Sequence, residues 1–272
     1  MKDLGEAAYI LGIKIIHDRS KRLIAFSLSA YLEKTLKKFR MENSKKGQII
    51  EKPDYRNSQG AQTPSEVQRM QRVSYALAIC SIMYAVRCTR PDVAFAQNLC
   101  SRFQQNPGEI HWTAVKTILK YLRNTEDMVL VYGAKPKAEL KPWIGRVPSK
   151  ALLSSTEAEY IVVAKELMEA VWMRKFINGL GDVMPSIKIP MEMLWDNASA
   201  IAITNDPGIL QGARHFQKKF HHIREVIQER EIVLKKVHTN DNVADLFTKP
   251  MPYFEHYEHV MAIRICPANS LM

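Results

Sequence analysis

The sequence predicts an α/β protein whose two parts differ in character. Residues 1–150 contain 26 lysines and arginines against 13 acidic residues, a net charge of +13, whereas residues 151–272 contain 13 and 15, a net charge of −2. In the first part, apolar residues recur mainly at helical spacing. In the second part, strand-like and helix-like segments alternate, which is typical of an α/β layer architecture.

The composition excludes several classes of protein. At 46% hydrophobic and 25% charged residues, the chain is too apolar for general disorder. No apolar run approaches the roughly 18–20 residues that span a bilayer, and the N-terminus lacks the apolar stretch of a signal peptide. We therefore expect a soluble, intracellular protein, cytoplasmic or nuclear. The net charge of +11 indicates a polyanionic partner, either nucleic acid or a membrane surface.

Residues 1–43 are predicted to form a hairpin and a helix. The segment 9–16 is rich in β-branched residues and predicts a strand, and residues 23–28 predict its partner after a short polar turn. Ser29 is a favourable N-cap for the lysine-rich helix that follows. Residues 44–66 are polar and aperiodic, and we expect a linker or a long exposed loop there.

Residues 67–132 predict a helical portion. A helix that is apolar almost all round begins near Val73, which indicates burial, and another covers 109–123 with one apolar face. A short strand is predicted at 128–132. Residues 133–151 contain three prolines and two glycines and predict an irregular joint.

The second half is predicted to alternate between helices and strands up to residue 250, with residues 251–272 as a C-terminal tail. The predicted elements are a long helix that begins near Ser155 or Thr156 and ends at Gly179 or Gly181, a strand at 187–195, helical residues at 214–230, a strand at 232–237 and a last helix at 243–248.

Three carboxylate positions of the second half lie at element boundaries. Glu157 and Glu159 fall in the first turn of the long helix, Asp196 follows a strand, and Asp245 falls in the first turn of the last helix. Acids placed in this way can converge on one edge of a sheet, where their oxygens would hold Mg²⁺. The structural alternative is strong, because acids in first turns complement the helix dipole and Asp-Asn after a strand is ordinary turn chemistry.

Two basic groups are candidates for phosphate contacts. They are Lys34, Lys37, Lys38 and Arg40 in the first helix and Arg214, Lys218 and Lys219 in the second half. Histidines 215, 221 and 222 accompany the second group, but adjacent helical residues project to different faces, so a solvated basic face is favoured over a metal site. For the first group, an ordinary solvated helix face is as well supported by the sequence as a phosphate-binding surface.

Several motifs, in order along the chain, resemble copia-type LTR retrotransposon Pol polyproteins. The segment Lys-Asp-Leu-Gly-Glu at 2–6 resembles the residues after the reverse-transcriptase catalytic strand, and Thr-Arg-Pro-Asp at 89–92 resembles the connection to the ribonuclease H region. The motifs that resemble the ribonuclease H region itself are Ser-Ser-Thr-Glu-Ala-Glu-Tyr at 154–160, Trp-Asp-Asn-Ala-Ser-Ala-Ile at 195–201 and Asp-Asn-Val-Ala-Asp-Leu-Phe-Thr-Lys-Pro at 241–250.

The resemblance implies a nuclease that cuts the RNA strand of RNA–DNA hybrids with four carboxylates and two Mg²⁺ ions. The helix ligand would be Glu157, with Glu159 as the alternative; Glu157 is favoured because Ala164 then falls where the family helix keeps a small residue. Asp196 and Asp245 match two further ligands. His238 lies roughly where some relatives keep a histidine that assists product release.

One departure from the family pattern concerns the first catalytic Asp and its strands. Relatives place a Tyr-Thr-Asp-Ala strand and two more strands before the helix, but residues 133–151 contain no Asp and only one acid, Glu139. Nineteen residues are too few for three strands at about 5–6 residues each plus turns. We expect an internal deletion here.

The resemblance divides the chain into functional regions. These are the end of a reverse-transcriptase-like palm and thumb at 1–43, a linker at 44–66, a helical connection at 67–132, the joint at 133–151, a truncated ribonuclease H-like domain at 152–250 and the tail at 251–272. We expect no polymerase activity and an impaired hydrolase. The alternative is a catalytically dead remnant that at most binds nucleic acid through its basic half. On either view, we expect the polyanionic partner to be nucleic acid and not a membrane.

Overall fold

The computed structural model describes residues 5–45, 47, 60–133, 155–180, 190–198, 201 and 224–271, with the backbone alone for 155–164. The chain divides into two compact units: unit 1 comprises Met1–Pro136 and Lys249–Met272, and unit 2 comprises Lys137–Thr248. Helices and strands occur in both units, so the predicted α/β class is confirmed. None of the described helices is long and apolar enough to cross a lipid bilayer.

Unit 1 contains an antiparallel sheet of five strands in the order β1-β2-β3-β4-β7. Side-chain alternation directs Leu23, Ala25, Val129 and Val131 into one small apolar cluster on this sheet. The strands are β1 (Tyr9–Ile10), β2 (Ile13–Asp18), β3 (Leu23–Ser27), β4 (Met128–Gly133) and β7 (Ile265–Pro267).

The prediction of one strand over residues 9–16 was wrong. Leu11 and Gly12 both have positive φ angles, of 50° and 81°, and Ile10 pairs with Ile13 across them. Two successive positive φ angles form the tight turn that suits a two-residue hairpin loop. The apolar run is therefore two strands joined by a turn, whereas the predicted hairpin of β2 and β3 is confirmed.

Six α-helices lie among the described residues of unit 1, and most of its core lies between them. Buried Leu32, Ile79, Val115 and Leu119 belong to one cluster, and the predicted apolar face of the 109–123 helix is confirmed. The helices are α1 (Ser29–Lys38), α2 (Pro64–Gln71), α3 (Tyr75–Cys88), α4 (Ala94–Ser101), α5 (Glu109–Asn124) and α7 (Tyr253–Ala262).

Two helix starts differ from the prediction. Ser29 is the first residue of α1 rather than its cap, because Leu28 occupies the capping position. Helix α2 begins at Pro64, inside the predicted linker. Thr63 and Glu66 form a reciprocal capping box there, and proline at the first helical position needs no backbone hydrogen bond. The Thr-Pro-Ser-Glu pattern is the signal that could have located this helix.

A buried polar network ties the helices of unit 1 together. Arg90 and Asp92 have no exposed side-chain surface and form a two-point ion pair with N···O distances of 3.0 and 2.7 Å. Arg90 also donates to the carbonyl of Thr125 at 2.8 Å, and the Tyr121 hydroxyl donates to Asp92 at 2.8 Å. Because buried charges are tolerated only when paired, this network fixes the turn between α3 and α4 against α5.

Residues 251–272, which were predicted as a tail, contain α7 and β7. Strand β7 pairs with β4, and Val260 of α7 and Ile265 of β7 are completely buried. His256 of α7 donates through Nε2 to the backbone carbonyl of Asp92 at 3.1 Å. The end of the chain is therefore an integral part of unit 1.

Unit 2 is built on a parallel pair of strands and a long helix. The pair comprises β5 (Met191–Trp195) and β6 (Ile232–Lys236), and the helix is α6 (Ser155–Gly179), as predicted from the sequence. Side chains of all three elements share one core, represented by Leu167, Met193 and Ile232.

Candidate functional site

Asp196 lies at the carboxyl end of the parallel strand pair. In β5 the side chains of Met191, Met193 and Trp195 are buried in the core, and Asp196 follows as a half-buried residue. The backbone N–H of Val237 donates to the carbonyl of Trp195 at 2.9 Å, which continues the pairing beyond β6. Asp196 and the chain that leaves β6 therefore lie at the same edge of the sheet.

Asp245 lies on a short turn of helix that follows β6. The predicted α-helix at 243–248 is a 3₁₀-helix, Val243–Phe247, because its backbone forms three-residue hydrogen bonds such as Thr248 N–H to the carbonyl of Asp245. The side-chain oxygen of Asn242 accepts from the N–H of Ala244 at 3.3 Å and caps this turn. Asp245 has no exposed surface, which the sequence did not reveal.

Glu157 is the third residue of α6 and Glu159 the fifth, so only Glu157 lies in the first turn, and the side chains of both lie outside the described residues. Further along the helix, buried Arg174 pairs with Glu231, which immediately precedes β6. One guanidinium nitrogen lies 2.7 Å from the Glu231 carboxylate and another donates to its backbone carbonyl at 3.2 Å. The pair fixes α6 against the start of β6.

Arg174 was not recognised as a structural residue in the sequence. The sequence pattern could have shown that Arg174 is buried, because it follows Leu167, Ala170 and Val171 at the spacing of one buried helix face. A charged residue at such a position requires a buried partner. Glu231, which lies next to a predicted strand, is the acid that supplies this partner.

The described side chains do not by themselves provide a metal site. Among them, no group of three or more His, Cys, Asp or Glu residues is placed to hold a metal ion. Asp196 and Asp245 offer oxygen ligands of the type that Mg²⁺ prefers, and the predicted third ligand, Glu157 or Glu159, has no described side chain. The ligand set therefore stays a prediction.

His238 has a local structural contact. It directly precedes the 3₁₀-turn Thr239–Asp241, and its Nδ1 accepts a hydrogen bond from the backbone N–H of Asn240 at 3.3 Å. This bond requires the proton on Nε2 when the ring is neutral. The exposed ring lies just beyond β6, and a role in product release stays a prediction.

Three residues of the first predicted basic group lie on α1 of unit 1, and the fourth, Arg40, follows two residues after the end of that helix. Lys34, Lys37, Lys38 and Arg40 are all exposed, while Leu32 and Leu36 of this helix are buried. Lys37 pairs with Glu33 at 2.6 Å, so part of its charge is compensated locally. The second group, Arg214, Lys218 and Lys219, and the histidines 215, 221 and 222 lie outside the described residues.

Comparison with known proteins identifies similar chains among plant transposons. The Retrovirus-related Pol polyprotein from transposon TNT 1-94 of Nicotiana tabacum is 32% identical over 282 residues, which cover 93% of this chain and 21% of that protein. Those from transposons RE2 and RE1 of Arabidopsis thaliana are 26% and 28% identical, each over 60% of this chain and 13% of theirs. The chain thus spans about a fifth or less of these relatives.

The alignment with the protein from transposon TNT 1-94 contains gaps in the sequence of this chain. Its 282 residues exceed the 272 of the whole chain, although only 93% of the chain is covered. The tobacco protein therefore has residues within the aligned region that this chain lacks. No family model and no solved structure matches the chain.

Proposed function

Because the chain belongs to the copia-type retrotransposon Pol polyproteins, we propose that unit 2 is the remnant of a ribonuclease H whose activity is strongly impaired. The activity in question is hydrolysis of the RNA strand in RNA–DNA hybrids with divalent metal. The observation that supports the proposal is the parallel pairing of β5 with β6, which brings Asp196 and the chain that leaves β6 towards Asp245 to the same edge of the sheet.

The proposed ligands are Glu157, or Glu159 in its place, together with Asp196 and Asp245. Their support is the chemistry of the donors, since Mg²⁺ favours carboxylate oxygens, and the shared core that packs α6 against β5 and β6. Bound Mg²⁺ would supply an activated water and stabilise charge on the phosphate. The protein's own contribution is the rigid placement of Asp196 by a buried strand and of the helix by the Arg174–Glu231 pair.

Two observations support the impairment. Residues 133–151 contain no Asp that could replace the first catalytic carboxylate, and Glu139 is their only acid. The tobacco protein also has residues within the aligned region that this chain lacks, as an internal deletion would produce. Because residues 133–151 offer no Asp in place of a ligand that both metal ions share in the family, hydrolysis should fall even where the remaining carboxylates are correctly placed.

A second candidate function is nucleic-acid binding without hydrolysis. It is favoured by the net charge of +13 in residues 1–150 and by the exposed lysines of α1. Such binding would weaken steeply with salt, because each lysine–phosphate contact releases counterions from the nucleic acid. It requires no intact carboxylate site.

A single assay with a labelled RNA–DNA hybrid tests both functions. We expect the full chain with Mg²⁺ to bind the hybrid at low salt and to cleave it slowly or not at all. Any cleavage should be abolished by Asp196→Asn and unaffected by Asp241→Asn. The second substitution is the matched control, because Asp241 is an exposed acid of the 3₁₀-turn Thr239–Asp241.

The outcomes separate the proposals. Rapid cleavage by the unmodified chain would refute the impairment. Slow cleavage that survives Asp196→Asn would refute the carboxylate site. Complete absence of cleavage, together with salt-sensitive binding of the hybrid, would favour the dead remnant. Failure to bind the hybrid at any salt concentration would exclude the nucleic-acid-binding function.

A further inference from the structure

Helix α5 of unit 1 carries three cations on the side opposite its core. Val115 and Leu119 of this helix are completely buried, whereas Lys116, Lys120 and Arg123 are half-buried. At 3.6 residues per turn, the three cations fall within an arc of about 60°. They therefore form one line along the helix, here named the α5 cation stripe.

No acid accompanies the stripe. Among the described residues, none of its three cations forms an ion pair with an acidic side chain. The helix contains one acid, Glu109, seven residues before Lys116. This separation is about 10 Å along the axis, where salt screens most of the interaction. Helix α1 differs in this respect, because Lys37 there pairs with Glu33 at 2.6 Å.

The stability of α5 does not account for the stripe. Lys116 and Lys120 lie four residues apart, and like charges at this spacing destabilise a helix. The helix macrodipole favours cations only within the last turn. It therefore reaches Arg123 but not Lys116, which lies eight residues before the last residue of the helix, Asn124. A polyanionic partner, in contrast, would offset the repulsion within the stripe.

The chain that follows α1 packs against Lys120. A Cβ atom added at Gly47 would lie 2.8 Å from the Cβ atom of Lys120, so a side chain at this position would clash with the Lys120 stem. This packing restrains the stem, and less conformational entropy is lost when the charge binds a partner. Lys45 is exposed and lies two residues before Gly47, so it adds a fourth cation within about 7 Å of this contact.

The form of the stripe fits a linear polyanion. Its three cations extend over about 10 Å of helix axis, and a nucleic-acid duplex carries one negative charge per about 1.7 Å of its own axis. A helix that binds an anionic membrane inserts apolar side chains beside its cations. Here Thr113, Thr117 and Asn124 flank the stripe, and Trp112 packs against the core. The phosphate backbone of a nucleic acid is therefore the better match.

We propose that the α5 cation stripe binds the phosphate backbone of a nucleic acid and adds a contact surface to the lysines of α1. The inference rests on the second candidate function, nucleic-acid binding, and specifies where part of that binding occurs. It involves no residue of unit 2 and is independent of the carboxylate site. Because backbone contacts carry no direct sequence information, binding at the stripe does not depend on the base sequence.

Titration of a fluorescently labelled RNA–DNA hybrid with the full chain, repeated over a series of salt concentrations, tests the stripe. Divalent metal is omitted so that no cleavage occurs. The double variant Lys116→Gln, Lys120→Gln should bind about ten-fold more weakly or worse at about 0.1 M salt. The plot of log affinity against log salt concentration should become shallower by about 1.8, since each phosphate contact contributes about 0.9.

The matched control is the double variant Lys165→Gln, Lys175→Gln, which removes two exposed lysines from α6 of unit 2. It lowers the net charge of the chain equally, and it should weaken binding by less than about two-fold. Thermal unfolding followed by circular dichroism verifies that the variants fold. The stripe variant should show no decrease in the unfolding midpoint, because its substitutions remove a repulsion within α5.

Three results would overturn the inference while nucleic-acid binding itself stands. They are equal losses in the stripe variant and the control, a salt dependence that the stripe substitutions leave unchanged, and stripe-dependent binding to phosphatidylserine vesicles with undiminished binding to the hybrid. If the unmodified chain does not bind the hybrid at any salt concentration, both the candidate function and the stripe are refuted.

Discussion

His256 has a buried ring at the centre of the polar network of unit 1. The groups that face it are Arg90, Asp92, Tyr121 and His259. Burial lowers the pKa of His256 from its ordinary value, and the adjacent Arg90 and His259 act in the same direction against the opposing effect of Asp92. The folded protein therefore holds this ring neutral at a pH where the unfolded chain would protonate it.

The sign of the resulting pH dependence follows from proton linkage. Because the folded-state pKa of His256 is depressed, its contribution to stability is complete above the unfolded value of about 6.5 and is lost as the pH falls below that value. We expect the midpoint of thermal unfolding to decrease on acidification through this window. His256→Gln, which keeps a donor for the Asp92 carbonyl, should make that decrease shallower.

The matched control is His17→Gln, a change at an exposed histidine of β2. It should leave the pH profile unchanged. A residual decrease is expected in His256→Gln, because burial also lowers the pKa of His111. Identical profiles for the unmodified protein and His256→Gln would contradict the assignment of this histidine as an acid-sensitive position.

At the scale of elements, the stability of unit 2 depends on how α6 is held against β6. The Arg174 side chain is 5% exposed and that of its partner Glu231 is partly buried. Arg174→Ala removes one member of the pair and leaves Glu231 without it. We expect a loss of about 3 kcal/mol in the free energy of unfolding, since breaking buried ion pairs typically costs about 3–5 kcal/mol.

Urea unfolding followed by circular dichroism measures this loss. Lys165→Ala, a change at an exposed cation of the same helix, should alter stability by no more than about 0.5 kcal/mol. Equal effects of the two substitutions would show that the Arg174–Glu231 pair does not anchor the helix.

Elements with a strong periodic pattern were predicted well from the sequence. The apolar face of α5, strand β4 and the start of α6 follow from local patterns of side chains. The turn at Leu11–Gly12 was missed because a continuous apolar run conceals backbone angles. The 3₁₀ form of Val243–Phe247 was missed because its apolar spacing also fits an α-helix, and only the hydrogen-bond pattern separates them.

At the scale of the whole molecule, sequence order and spatial order differ. Asp196 and the turn with Asp245 could be placed at strand and helix ends from local signals, so part of the candidate site was predictable. The pairing of β7 with β4 was not, because it joins residues more than 130 positions apart along the chain. Such pairings depend on cross-strand packing rather than on any local motif.

The return of the chain to unit 1 makes its last residues structurally necessary. Val260 and Ile265 are fully buried and Met251 nearly so, and burial of each such side chain contributes about 1.5–3 kcal/mol. A chain that ends at Thr248 loses all three and leaves the β4 edge unpaired. The sum is comparable with the roughly 5–15 kcal/mol that stabilises a typical domain, so we expect unit 1 to unfold.

Hydrogen exchange of the shortened chain measures this effect in each unit separately. Amides of β4 and α5 should lose protection, whereas those of β5 and β6 should keep it, because the removed residues belong to unit 1. Phe254→Ala in the complete chain is the control, since that ring is 80% exposed and its removal should leave protection unchanged. If β4 and α5 stay protected in the shortened chain, residues 249–272 are a dispensable appendage and the five-stranded sheet does not depend on β7.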